Sequence, residues 1–213
     1  FKLRHFLNLN IESKRKGIIA QPIFILSMNF NANWYVRISS KPVTHYKNMP
    51  TITQQSPAKI NLFLHITGKR PDGYHNLQTV FRLIDLYDTL TFSHTDTTIG
   101  DNLPVTLTNA EHVTDNPADN LIIKAAIALL AFAKNHQILS DSQIAQWPII
   151  DIHLDKHSPM GAGLGGGSSN CATALMTLNT LWQLGLSNEQ LRLIGAKLGA
   201  DVPIFIFGKD AIA

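Results

Sequence analysis

The segment that most constrains this chain is Pro159-Met160-Gly161-Ala162-Gly163-Leu164-Gly165-Gly166-Gly167-Ser168-Ser169, with five glycines and two serines. A stretch so poor in side chains lets backbone N–H groups close around an anion. The apolar helix expected after it, roughly Ser169 to Gln183, points its positive dipole end at the same spot. A flexible linker is the plain alternative. Linkers rarely run straight into a helix of the type Ala172-Thr173-Ala174-Leu175-Met176-Thr177-Leu178, so phosphate binding is the better reading. Neither common fingerprint fits. A Walker loop needs Gly-Lys-Ser/Thr at its end, and here Gly167 is followed by Ser168. The dinucleotide pattern is loosely met by Gly161-Ala162-Gly163-Leu164-Gly165-Gly166. It requires an acid about twenty positions on, where Trp182, Gln183 and Leu184 stand.

With 213 residues, 45% hydrophobic and 15% charged, the chain reads as a soluble globular protein of one domain or one and a half. No apolar run reaches the length of a membrane span. A single cysteine, Cys171, excludes an internal disulfide framework and fits a reducing compartment. One turn into the loop helix, it reads as a small buried residue rather than a catalytic thiol. The charge is unevenly spread. Residues 1–48 hold eight Lys/Arg against one acid (Glu12), a net +7, and residues 49–213 hold ten against fourteen, a net −4. The basic pI therefore belongs to the leading segment, and the mildly acidic remainder argues against a nucleic-acid surface.

Residues 1–48 begin with Phe1 and carry Lys14-Arg15-Lys16 before an apolar stretch that Pro22 interrupts, without a clean small-x-small cleavage site. We expect a natural start at Met49 and a leader that is disordered or non-native. The location expected is cytoplasmic, or a plastid if the acid-poor, serine-bearing leader is a genuine transit segment. At the other end, Pro203-Ile204-Phe205-Ile206-Phe207 reads as a buried strand, and its closeness to Ala213 reads as a truncated protein.

Between these ends, residues 58–68 alternate. Ile60, Leu62, Leu64 and Ile66 share a face expected in the core, and Lys59, Asn61, Phe63 and His65 share the other. Residues 70–75 form a turn with Gly73 at a positive φ. Strands are expected at 78–86 and 89–94, a short one at 105–108 in a polar, turn-rich stretch, and another at 149–154. Asp119 is read as the N-cap of a helix over 120–135. Ser187-Asn188-Glu189-Gln190 is a capping box whose helix ends at Gly199. Strands first and helices later give an α+β class.

Lys59 is the first candidate for chemistry. Solvated strand lysines are common, but this one has few charges near it and could steer a γ-phosphate or ease deprotonation of a hydroxyl. Asp201, past the Gly199 helix stop, is either a plain turn aspartate or a general base for phosphoryl transfer. Tyr74 and His75 sit on a glycine turn suited to ligand contacts or to mere exposure. His153 and His157 are four apart but straddle a strand end, a poor metal pair.

The loop at 159–170 resembles the ATP loop of the galactokinase, homoserine, mevalonate and phosphomevalonate (GHMP) kinase superfamily. Within it, Ser56-Pro57-Ala58-Lys59-Ile60-Asn61-Leu62-Phe63-Leu64, residues Arg70-Pro71-Asp72-Gly73-Tyr74-His75-Asn76-Leu77-Gln78-Thr79, and Gly199-Ala200-Asp201-Val202-Pro203 resemble the 4-diphosphocytidyl-2-C-methyl-D-erythritol kinases. The four motifs run in register from about Met49 to the end. The resemblance implies a two-layer N-terminal ATP-binding domain over 49–213, with most of a second, C-terminal domain missing. It also implies transfer of the γ-phosphoryl of ATP, with Mg²⁺, to the 2-hydroxyl of a cytidine-diphospho-methylerythritol on a route to isoprenoid precursors. By matching position, Asp201 is the base and Lys59 its electrostatic partner. Residues Pro159 to Ser169 cradle the triphosphate, while Asn120, Leu121, Lys156 and Asn170 meet the nucleoside of ATP. Asn61, Tyr74, His75 and Phe81 match the substrate side. Metal ligands and oligomeric state are left unassigned. Two rivals stay open, a sister kinase with another small alcohol and a non-catalytic nucleotide-binding fragment, while a nicotinamide-dependent dehydrogenase is disfavoured by the missing acid.

Overall fold

The computed structural model describes residues 23–28, 34–39, 50–69, 73, 75–110, 113–114 and 116–212. The chain divides into two units, Phe1–Thr44 and His45–Ala213. In the first, β1 (Ile23–Met28) and β2 (Trp34–Ser39) pair antiparallel, with Ile23 opposite Ser39 and Met28 opposite Trp34. The rest of the expected leader lies outside the described residues.

The second unit is built on two long strands, β3 (Ile52–Lys69) and β4 (His75–Thr98), joined through the turn at Gly73, whose φ is +87°. β5 (Val105–Thr108) lies parallel to β6 (Pro148–Asp155), and β6 pairs antiparallel with β4. The sheet order is β3-β4-β6-β5, and β7 (Ala211–Ile212) adds to β4 at Val80 and Phe81. The helices are α1 (Leu121–Asn135), α2 (Asp141–Ile144), α3 (Gly166–Leu181), α4 (Asn188–Leu198) and α5 (Val202–Phe207). Leu90, Phe92, Ile150, Ile152 and Leu154 from the sheet meet Ile122 and Leu129 of α1 and Leu175 and Leu178 of α3 in one core. Each such side chain contributes about 1.5–3 kcal/mol by leaving water. The α+β class expected from the order of elements is the observed one. The strand at 105–108 and the capping box at Ser187 are also as expected.

Several elements differ from expectation. Residues 203–207 are helix α5, not a strand. A five-residue apolar run has no period to distinguish the two. Pro203 sits in the first turn, where a missing N–H costs nothing, and Gly208 at φ +70° stops the helix. The two strands expected at 78–86 and 89–94 are one, β4, continuous through a register shift opposite Pro57/Ala58. Asn120, not Asp119, caps α1, its Oδ1 accepting from Ile122 N at 3.0 Å. Asp119 belongs to a 3₁₀ turn over Pro117–Asp119. The loop helix starts three residues early, at Gly166. Finally, the β3 face expected in the core is open: Leu62, Leu64 and Ile66 are more than half exposed, whereas Ala58 and Lys59 are buried. Helix α3 covers β3 near Ser56, whose Oγ donates to Ser169 Oγ at 2.8 Å.

Candidate active site

The glycine loop links the end of β6 to α3. Gly161, Gly163 and Gly165 have φ of +71°, +73° and +70°, a region L side chains rarely adopt, so the alternate glycines are a conformational requirement. Gly165 is the N-cap of α3 and makes no side-chain cap bond. The first N–H groups of a 16-residue helix are thus offered to something other than a capping side chain. Residues 159–163 are exposed, forming the open limb of the loop. The closed limb is anchored by Lys59 N donating to Leu164 O at 2.9 Å.

That anchor brings the two expected reacting groups beside the loop. Lys59 Nζ lies 3.3 Å from Asp201 Oδ2, with the lysine side chain 7% exposed and the aspartate 33%. The ammonium also donates to Asn61 Oδ1 at 2.6 Å and sits 5.3 Å from the centre of the Phe81 ring. A Cβ on Gly165 would lie 3.2 Å from Lys59 Cε, and one on Gly199 would lie 3.5 Å from Ser168 Oγ. The Gly199–Asp201 turn and the start of α3 are therefore neighbours. Four residues expected at the site, Lys59 and Asn61 from one motif, Asp201 from another and Phe81 from β4, meet in one place. His75 opens β4, and Tyr74 lies outside the described residues.

On the other flank of α3's first turn stands a buried network. Asp88 is fully buried and accepts four hydrogen bonds: from Lys156 Nζ at 2.7 Å, His157 N at 2.8 Å, Ser158 N at 2.7 Å and Ser158 Oγ at 2.8 Å. Burial alone pushes its carboxyl up. The hydrogen bonds from Lys156, Ser158 and His157 outweigh that and hold it below the ordinary carboxylate range. A Cβ on Gly166 would sit 2.3 Å from Ser158 Oγ and 3.1 Å from Lys156 Nζ. Gly166→Ala is therefore expected to destabilise the protein by about 1–3 kcal/mol by displacing Ser158. Urea unfolding of the variant checks this, and a midpoint equal to that of the parent protein refutes it.

Leu121 completes this flank, its Cδ1 3.9 Å from where a Gly167 Cβ would be. Asn120 and Asn170 are buried, and Asn120 Nδ2 and Asn170 Oδ1 have no hydrogen-bond partner among the described residues. Cys171 is buried with its thiol pushed up to about 12 by desolvation, so it is inert as a nucleophile. Among the described residues no three His, Cys, Asp or Glu side chains gather in a way that could hold a metal ion. No helix there is long and apolar enough to cross a membrane.

The sequence reading missed Asp88. It stands two and four residues before Leu90 and Phe92, both fully buried, so period two puts an acid on the core face of β4. That misplaced charge was the available signal.

Residues 120–209 match the family of GHMP kinases N terminal domains. The chain is 56% identical over 178 residues to the 4-diphosphocytidyl-2-C-methyl-D-erythritol kinase of Psychrobacter cryohalolentis, covering 76% of this chain and 54% of that protein. To the kinase of the same name from Acinetobacter baylyi it is 54% identical over 158 residues, covering 74% and 51%. A crystal structure of 4-(cytidine 5'-diphospho)-2C-methyl-D-erythritol kinase aligns at 31% identity with a TM-score of 0.56, over 76% of this chain and 51% of that one. The chain spans about half the length of the curated relatives it matches.

Proposed function

We propose that this chain, which belongs to the GHMP kinase family, carries the ATP site and reacting pair of a kinase for the 2-hydroxyl of 4-diphosphocytidyl-2-C-methyl-D-erythritol. The observation that carries the reading is the Lys59–Asp201 pair, 3.3 Å apart and set beside an uncapped helix start behind a glycine loop. In phosphoryl transfer the protein mainly positions and neutralises, so one cradle, one cation and one carboxylate are a sufficient set.

In this reading residues 159–169 take the triphosphate on backbone N–H groups and the positive end of α3. Asn120, Leu121, Lys156 and Asn170 face the nucleoside. Asn61, Tyr74, His75 and Phe81 face the alcohol substrate. The hydroxyl oxygen bonds to the γ-phosphorus while the bond to the β,γ-bridging oxygen breaks and ADP leaves. Asp201 takes the hydroxyl proton, and the Lys59 ammonium offsets charge on the transferring group. Mg²⁺ belongs with the nucleotide in this scheme. It is commonly held by phosphates, water and at most one or two carboxylates, which suits a site without an acidic cluster among the described residues. Bound there, the ion supplies charge neutralisation to the phosphates.

The substrate follows from the relatives' name and from the motifs at 56–64 and 70–79. The test is ADP release with ATP and Mg²⁺ against a panel of the cytidine-diphospho alcohol, mevalonate, phosphomevalonate and homoserine. Release that depends on the cytidine compound alone is the expected result. Release with another alcohol overturns the substrate assignment. ATP binding without release for any alcohol overturns the kinase reading in favour of a nucleotide-binding module.

A further inference from the structure

We infer that Thr79 is a positioning residue for the Lys59–Asp201 pair, acting through the side-chain amide of Asn61. Thr79 lies on β4, is 3% exposed, and its hydroxyl donates to Phe63 O at 2.6 Å. The β3–β4 register shifts between Asn61 and Leu64, and the hydroxyl of Thr79 supplies a donor to the Phe63 carbonyl in that interval. A hydroxyl has one proton, and with it spent on Phe63 the oxygen can only accept. Asn61 Nδ2 donates to it at 2.7 Å. The other end of the amide, Oδ1, must then face away, and it accepts from Lys59 Nζ at 2.6 Å.

The reverse orientation is disfavoured twice. It sets an NH₂ group against an ammonium, and it turns a carbonyl oxygen toward a hydroxyl whose proton is committed elsewhere. Thr79 thus decides which end of Asn61 meets Lys59. It thereby fixes where the ammonium stands relative to Asp201 and the Phe81 ring. The role is remote: Thr79 touches neither Lys59 nor Asp201 by hydrogen bond, and its effect travels through one amide.

This inference rests on the proposed function, which reads Lys59 and Asp201 as the reacting pair. The test compares Thr79→Val, which keeps the shape without the hydroxyl, with Thr79→Ser, Asn61→Ala and the Thr79→Val/Asn61→Ala double variant. The readouts are kcat and the KM for ATP per folded molecule. Thr79→Val is expected to lower kcat roughly ten- to a hundredfold, the scale of a misplaced catalytic group, with the KM for ATP unchanged. Thr79→Ser is expected to recover the loss, and adding Thr79→Val to Asn61→Ala to change nothing more. Should Thr79→Val not fold, Thr79→Cys, a far weaker donor of similar size, carries the same expectation. A merely structural threonine gives a lowered melting midpoint with kcat per folded molecule intact, and effects that add to Asn61→Ala. Either result overturns the positioning role and leaves the kinase reading standing. A parent protein that binds ATP without turnover overturns both.

Discussion

Asp201→Asn lowers turnover by about 10²–10⁴-fold, the usual scale for a general base, and leaves ATP affinity nearly unchanged. Asparagine keeps the size and can still offer an oxygen to Lys59, but it cannot take a proton. The two outcomes separate because Asp201 and the proposed phosphate cradle are different parts of the site. Asp201 sits at the turn before α5, and the cradle is backbone between β6 and α3. Its side chain is one-third exposed, so it is open to a substrate hydroxyl, while Lys59 behind it is nearly enclosed. That asymmetry suits the proposed roles, the proton on Asp201 and the fixed positive charge on Lys59. Single-turnover ADP release and calorimetric ATP titration of the variant check it. Near-normal release with a folded protein removes Asp201 from the base role.

How much of this was legible in the sequence depended on whether the signal was local. The glycine loop, the α4 capping box and the α1 helix are stretches whose neighbours in space are their neighbours in sequence. The α5 segment failed for want of length: five apolar residues after a turn fit a strand or a buried helix, and only packing against α3 and α4 decides. On β3 the alternation at 60–66 was real, but alternation says that two faces differ, not that either is covered. The Asp88 network was the hardest to see, because its partners lie 68 to 70 residues away in the chain. Lys156 was reached through family resemblance, and the carboxylate that holds it was not.

That carboxylate gives the second large effect. Asp88→Ala is expected to cost about 3–5 kcal/mol, the scale for breaking a buried ion pair by removing one partner. Lys156, 6% exposed, keeps Ser158 Oγ as its one acceptor among the described residues, and the His157 and Ser158 amides lose theirs. Removing the stranded charge as well, in Asp88→Ala/Lys156→Met, is expected to restore part of the loss. The pH dependence has a definite sign. The folded carboxyl is held below its unfolded value, so its contribution is complete above roughly pH 4, the ordinary aspartate range. It fades as pH falls through the lower folded value. The gap in urea stability between the parent protein and Asp88→Ala should therefore be widest near neutrality and shrink toward pH 3. A gap that is constant with pH would mean the loss is packing alone. The same measurement bears on function, because Asp88 holds the 157–158 turn from which the glycine loop departs. If the loop's shape depends on that turn, Asp88→Ala weakens ATP binding even under conditions where the variant is fully folded, and the loss of affinity separates from the loss of stability.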